Sequence, residues 1–274
     1  MAYNPERNDR RAPRANSSAP PKPWRGKEDG GAEWLWGRHA VEAALSNRHR
    51  ARFRRLVAAA GKAESLGEKV WGQLTGERTV RPETMETHEI ARLLPPGAVH
   101  QGLALLADPL ESVPLEELAD PAEGVLILLD QVEDPQNVGA VFRAAAAFGA
   151  KGVILQDRRA PALAGTVAKA SAGAVDKVPC TRVVNLSRAL EQLADLGWRA
   201  VGLAGTAETT LEEALDGRPV VLVLGSEGDG LRRLVSEHCD VLARIPMPGD
   251  FESLNISTAA AIAMYEASRP KSAV

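Results

Sequence analysis

The second half of the chain carries short runs that are apolar almost throughout: Val125–Asp130, Gly152–Gln156, Ala200–Leu203 and Val220–Leu224. A strand with one wet face alternates apolar and polar residues, whereas a strand covered on both faces does not. Between these runs lie stretches with apolar residues at helical spacing, at 137–149, 187–196, 231–238 and about 255–268, and a last short strand ends at Ile245. Strands alternating with helices predict an α/β fold with a parallel sheet buried on both sides. Ligands of such sheets bind at the carboxyl ends of the strands.

Three motifs stand at those ends. The first is Asp134-Pro135-Gln136-Asn137-Val138-Gly139, with Arg143 further along the same helix. Next comes Gly225-Ser226-Glu227-Gly228-Asp229-Gly230, directly after Val220–Leu224. The last is Ile245-Pro246-Met247-Pro248-Gly249, leading into Ser253-Leu254-Asn255-Ile256-Ser257. Each has a plain structural reading. Asn137 and Ser253 can cap helices, and glycine-rich turns commonly join strands to helices. Arg143 lies on an alanine-rich helix that otherwise looks buried, so it needs an anionic partner or access to water. A structural ion pair and a contact to a phosphate or substrate both meet that need. The glycine spacing of the second motif matches neither a dinucleotide fingerprint nor a P-loop. Its glycines suit close backbone approach to a ligand, and its acid disfavours a pyrophosphate. Two prolines keep the third motif out of regular sheet. Together the motifs predict one ligand site built from three loops, apolar with a few placed polar groups.

The 274 residues suffice for two cores. Residues 1–31 are proline-rich, mildly basic and poor in aliphatic residues, which predicts a disordered tail that either touches RNA or is simply solvated. Residues 34–106 read as a small α/β domain, with a helix after Gly37-Arg38-His39, an apolar run at 56–60, a helix over about 62–75 and a strand over Val99–Leu106. Residues 107–123 combine proline and acid as a linker, and 124–270 form the second domain. Net charge is -3, so any case for nucleic acid must be local. Arg48, Arg50, Arg52, Arg54 and Arg55 place five arginines within eight residues, and we expect them to form a basic face with Arg38 and His39. Cys180 and Cys239 lack zinc-site spacing and read as small buried thiols, so no metal is expected. Neither a membrane span nor a signal peptide is evident, and a soluble, cytoplasmic protein is expected.

Taken in order, the three motifs resemble those of the SPOUT-class RNA ribose 2′-O-methyltransferases of the TrmH type, and most closely the bacterial RlmB branch, which methylates a guanosine of 23S ribosomal RNA. Gly37-Arg38-His39-Ala40-Val41, His100-Gln101-Gly102 and Lys169-Ala170-Ser171-Ala172-Gly173-Ala174 add to the likeness, which runs from about 34 to 268. The resemblance implies a deep trefoil knot in the C-terminal domain, an N-terminal domain like the L30e RNA-binding fold, a homodimer, and S-adenosylmethionine as cofactor. It assigns Gly225, Ile245 and Leu254 to the cofactor pocket, Leu203, Gly205 and Thr206 to the adenine, and Met247 and Ser257 to supporting contacts. Asn137, Arg143, Glu227, Ser253 and Asn255 match the polar active-site positions.

The reaction so implied is in-line attack of a ribose 2′-hydroxyl on a sulfonium methyl, which needs alignment of three atoms and a place for a proton. Arg143 is the family's candidate activator. Guanidinium holds its proton at any ordinary pH, so stabilising the developing alkoxide or gripping the neighbouring phosphate suits it better. The segment Pro248-Gly249-Asp250-Phe251-Glu252 is more acidic than the family pattern. Competing readings are a transfer-RNA or adenosine-specific ribose methyltransferase, and a knotted RNA-binding protein without catalysis.

Overall fold

The structure, a computed structural model, describes residues 31–249 and 253–269. The expected tail at 1–31 lies almost wholly outside the described residues, as do residues 250–252 of the acidic 248–252 segment. The first unit begins with β1 (Glu33–Trp36), α1 (Arg38–Ser46), β2 (Phe53–Ala58) and α2 (Gly67–Trp71). It continues through β3 (Pro82–Thr84), α3 (Thr87–Arg92) and β4 (Leu103–Ala107). Its sheet has the order β1-β4-β2-β3, with β4 antiparallel to both neighbours.

After α4 (Leu115–Ala119) the second unit alternates as the apolar runs require. It contains β5 (Val125–Leu129), α5 (Pro135–Phe148), β6 (Gly152–Gln156), α6 (Gly165–Ala170), β7 (Cys180–Val183) and α7 (Leu186–Asp195). Then follow β8 (Arg199–Leu203), β9 (Thr209–Thr210), α8 (Leu211–Ala214), β10 (Val220–Leu224), α9 (Arg233–Glu237), β11 (Val241–Arg244) and α10 (Ile256–Ser268). All pairings in the sheet β7-β6-β5-β10-β8-β11-β9 are parallel. Strand β5 shows why its sequence does not alternate. Val125, Ile127 and Leu129 join one core, Leu126 and Leu128 join the core on the opposite face, and all five are buried. Strand β10 divides in the same way.

The two units share an apolar core, in which Leu35, Leu45, Leu56 and Leu103 are continuous with Ile127 and Val153. They also meet through close backbone contacts. A β-carbon on Gly173 would lie 2.6 Å from the His39 carbonyl oxygen, and one on Gly165 would lie 2.9 Å from the Trp36 ring. At the centre of this junction Arg50 donates from Nε to Asp176 Oδ1 at 2.6 Å and from Nη2 to Oδ2 at 3.2 Å. Its Nη1 reaches the Asp108 carbonyl at 3.0 Å, and Asn47 Nδ2 adds a bond to Asp176 at 3.1 Å.

This corrects the expected basic face. Arg50 points inward, with neither it nor Asp176 exposing any side-chain surface, and a buried guanidinium needs such a matched carboxylate. Arg54 is tied to Asp108 at 2.6 Å and Arg55 to Glu83 at 2.7 Å. Of the five arginines, Arg48 and Arg52 are exposed, and no ion pair engages them within the described residues. Two other local expectations also shift. The helix over about 62–75 shrinks to a 3-10 turn and α2, interrupted where Gly67 takes φ 74. The strand predicted from Val99 starts only at Leu103, because Gln101 at φ 55 and Gly102 at φ 80 form a left-handed corner.

Both cysteines sit in apolar surroundings, and burial pushes each thiol up to about 12 from an ordinary 9.0. The unfolded chain loses these protons above pH 9.0 and the folded chain only near 12, so their contribution to stability disappears as pH rises through that window. Ellman's reagent at pH 8 should therefore leave native protein unreacted and titrate both thiols in denaturant. Asp176→Ala strands the Arg50 charge and should cost about 3–5 kcal/mol in urea unfolding, whereas Arg54→Ala, at a half-exposed pair, should cost under about 1 kcal/mol.

Candidate active site

The loops after β8, β10 and β11 enclose a cavity of about 690 Å³ at the carboxyl edge of the sheet. Its wall includes Leu203, Gly205 and Thr206 from the first loop, Gly225 and Glu227 from the second, and Ile245, Met247, Ser253, Leu254 and Asn255 from the third. The volume falls within the usual range of about 300–1,000 Å³ for small-molecule sites. The second loop is shaped by its own backbone. Ser226 N donates to the Gly230 carbonyl at 3.2 Å and Gly230 N returns a bond at 3.1 Å. A β-carbon on Gly225 would lie 2.1 Å from Gly230 backbone atoms. Close approach is thus needed first by the loop to itself, and the ligand-facing role expected from the sequence comes second.

Glu227 joins the three motifs. Its Oε1 accepts from Asn137 Nδ2 at 3.0 Å, from Asn255 Nδ2 at 2.6 Å and from the Ile256 backbone N–H at 3.3 Å. Asn255 Nδ2 also reaches Asn137 Oδ1 at 3.0 Å. The other end of Asn255 caps α10, accepting from Ser257 N at 2.9 Å and from Ser257 Oγ at 2.6 Å. One side chain therefore anchors the last helix and reaches across to the first motif. Asn137 itself is not the cap of α5. Asp134 fills that place, accepting from Gln136 N.

The remaining expected residues divide. Ser257 does not line the cavity and acts on it through Asn255. Ser253 is exposed at the rim. Arg143 is exposed on α5, and no hydrogen bond or ion pair engages it within the described residues. Six residues along a helix turn the side chain by about 240° and advance it about 9 Å, so Arg143 leaves α5 in a different direction from Asn137. Of the basic set, Arg38 and His39 are exposed at the start of α1.

Sequence reasoning missed one pair. Asp130, fully buried after β5, accepts from Arg232 Nε at 2.7 Å and from its backbone N–H at 2.9 Å. Arg232 Nη2 also reaches Oε1 of Gln156, the last residue of β6, at 3.4 Å. This pair pins the exit of the glycine-rich loop to two neighbouring strands. An acid closing an otherwise apolar strand was the signal available.

The sequence pattern of the SpoU rRNA Methylase family matches residues 124–265. This chain belongs to that family. A second pattern, RNA 2′-O ribose methyltransferase substrate binding, matches residues 34–113. The 23S rRNA (guanosine-2′-O-)-methyltransferase RlmB of Xylella fastidiosa is 41% identical over 252 residues, covering 88% of this chain and 98% of the relative. The rRNA methyltransferase of Sinorhizobium meliloti has a similar structure, with a TM-score of 0.72, 25% identity and 86% coverage of each chain. A second structure of the Sinorhizobium enzyme, bound to AdoMet, superposes with a TM-score of 0.71 over 86% of this chain and 87% of that one, at 23% identity. The chain is accordingly an RNA 2′-O-methyltransferase with the α/β parallel-sheet fold of its class. The cavity mixes aliphatic walls (Leu203, Ile245, Leu254) with polar groups (Thr206, Glu227, Asn255), a lining that suits a small ligand with both apolar and polar parts.

Gly225→Ala forces the Gly230 backbone aside and should weaken S-adenosylmethionine binding at least about tenfold in calorimetry, with the far-ultraviolet dichroism unchanged. Glu227→Ala removes the shared acceptor. Methyl transfer should drop by about 10²–10³, with about 1–3 kcal/mol lost in stability because Asn137, Asn255 and the Ile256 N–H lose their shared acceptor.

Proposed function

We propose that this chain methylates the ribose 2′-hydroxyl of a guanosine in 23S ribosomal RNA. The observation that carries the reading is the 41% identity to the Xylella enzyme, which extends over 98% of that protein and so includes both matched regions. Ribosomal RNA as substrate places the protein in the cytoplasm.

S-adenosylmethionine, held by the Leu203, Gly225, Ile245 and Leu254 loops, supplies an activated methyl group. The chain's own residues orient the acceptor. Asn137, Glu227 and Asn255 form a polar floor beside the cavity, rigid through mutual hydrogen bonds, against which a ribose can be aligned. Arg143 stabilises the oxygen as it loses its proton and grips the adjacent phosphate. Its direction away from Asn137 suits service in a partner's site. The helices α5 and α10, packed together, leave Ile262 and Tyr265 exposed by 37% and 53%, which supports a homodimer through this face. A trefoil knot formed as the 245–255 segment passes the 225–230 loop belongs to the same proposal. RNA contacts fall to Arg38, His39, Arg48 and Arg52, with Arg50 assigned to structure.

Mapping 2′-O-methyl positions in ribosomal RNA, with and without the gene, should show one guanosine of 23S RNA lose its mark. Loss from an adenosine or from transfer RNA would overturn the assignment. Arg143→Lys should lose most of its turnover, about tenfold or more, with unchanged cofactor binding. Near-normal turnover would remove Arg143 from the reaction.

A further inference from the structure

Three segments distant in sequence meet beside the junction of the two sheets and do not contribute to the cavity. Lys169, in the last turn of α6, donates from Nζ to Gln101 Oε1 at 3.0 Å. The same oxygen accepts from the Arg38 backbone N–H at 3.3 Å. Gly37 takes φ 85, which favours glycine, and its missing β-carbon would lie 2.5 Å from Lys169 Nζ, the movable end of that side chain. Gln101 holds its place at φ 55, a conformation that side-chain-bearing residues rarely adopt.

Charge distinguishes this cluster from the ion pairs nearby. Arg50, Arg54 and Arg55 each face a carboxylate. Lys169 faces a neutral amide, and no carboxylate lies within ion-pair distance of it within the described residues. One donor of its ammonium is used and the charge is unbalanced, although partial burial already disfavours it and lowers the Lys169 pKa. Among the described residues, the guanidinium of Arg38, half-exposed, is held by a 3.8 Å contact to Glu42 and a 3.4 Å bond to the Ser65 carbonyl. The cluster packs on the helix that carries Asn137: Ala170, next to Lys169, would lie 2.5 Å from a β-carbon on Gly139, two residues and about 200° around α5 from Asn137.

We propose that Lys169 and Arg38, steered by Gln101, form a notch that binds a phosphodiester of the substrate RNA at the junction of the two units. The inference rests on the RNA methyltransferase reading and adds a contact that bridges both matched regions. Gln101 keeps the ammonium in place without neutralising it, so the charge stays available for a phosphate. Phosphate contacts of this kind set register and carry no base preference.

The test uses the full chain and an unmodified 23S ribosomal RNA transcript, with binding followed across salt concentrations. Lys169→Met should weaken binding about tenfold and lower the salt slope by about 0.7–0.9. Lys169→Arg should stay within about threefold of the parent. Gln101→Glu is decisive, because it supplies an internal counter-charge while keeping the bridge. It should weaken RNA binding as Lys169→Met does, with thermal stability held or raised and cofactor affinity unchanged. If Gln101→Glu and Lys169→Met both bind RNA as the parent does, Lys169 is only a bridge between the units and the proposal fails. If the parent itself neither binds nor methylates ribosomal RNA, the functional reading falls and the notch with it.

Discussion

A single carboxylate oxygen, Oε1 of Glu227, collects donors from Asn137, Asn255 and Ile256, and the site exists because of that convergence. The three loops leave different strands and have no reason to stay together on their own. Hydrogen bonds to an acid are stronger than those between neutral groups. Asn255 extends the network into the backbone of α10, so the position of the last helix is set by the same atom that sets Asn137. Beneath it, Asp130 and Arg232 fix the exit of the glycine-rich loop to the sheet. Alignment is the main requirement for in-line transfer, and it is met here by cross-linked polar side chains on rigid elements.

The second half of the molecule was legible because its signals are local. Strands such as β5 and β10 are buried on both faces and so carry unbroken apolar runs, and α5 and α10 show their periods directly. The motifs were legible as a set because each follows such a run. Edge elements were less visible. Strand β7 is short and half polar, and α6 spans only Gly165–Ala170, so neither has a pattern long enough to stand out.

The first unit was read less well, for a physical reason. Whether an arginine lies on a surface or inside a core depends on its partner, and the partner of Arg50 is Asp176, 126 residues away. Nothing in the run Arg48–Arg55 separates the buried member from the exposed ones. Similarly, the left-handed corner begins at Gln101, a residue type that does not signal one, so the run from Val99 onward looked like strand. The plain reading of Asn137 as a helix cap fails for the same reason, since Asp134 can also cap α5 and only geometry decides.

The Arg50–Asp176 pair also sets a length. With a shared core and a dry ion pair between them, the two units behave as one body, so the exposed Arg48 and Arg52 stand at a fixed span from the cavity. An enzyme with a swinging head could serve targets at many separations. With Arg48 and Arg52 as the proposed docking residues, this one would act as a caliper, accepting an RNA whose docking element and target ribose are the right distance apart. Discrimination among ribosomal riboses can then come from the folded dimensions of the RNA, with little need to read its bases.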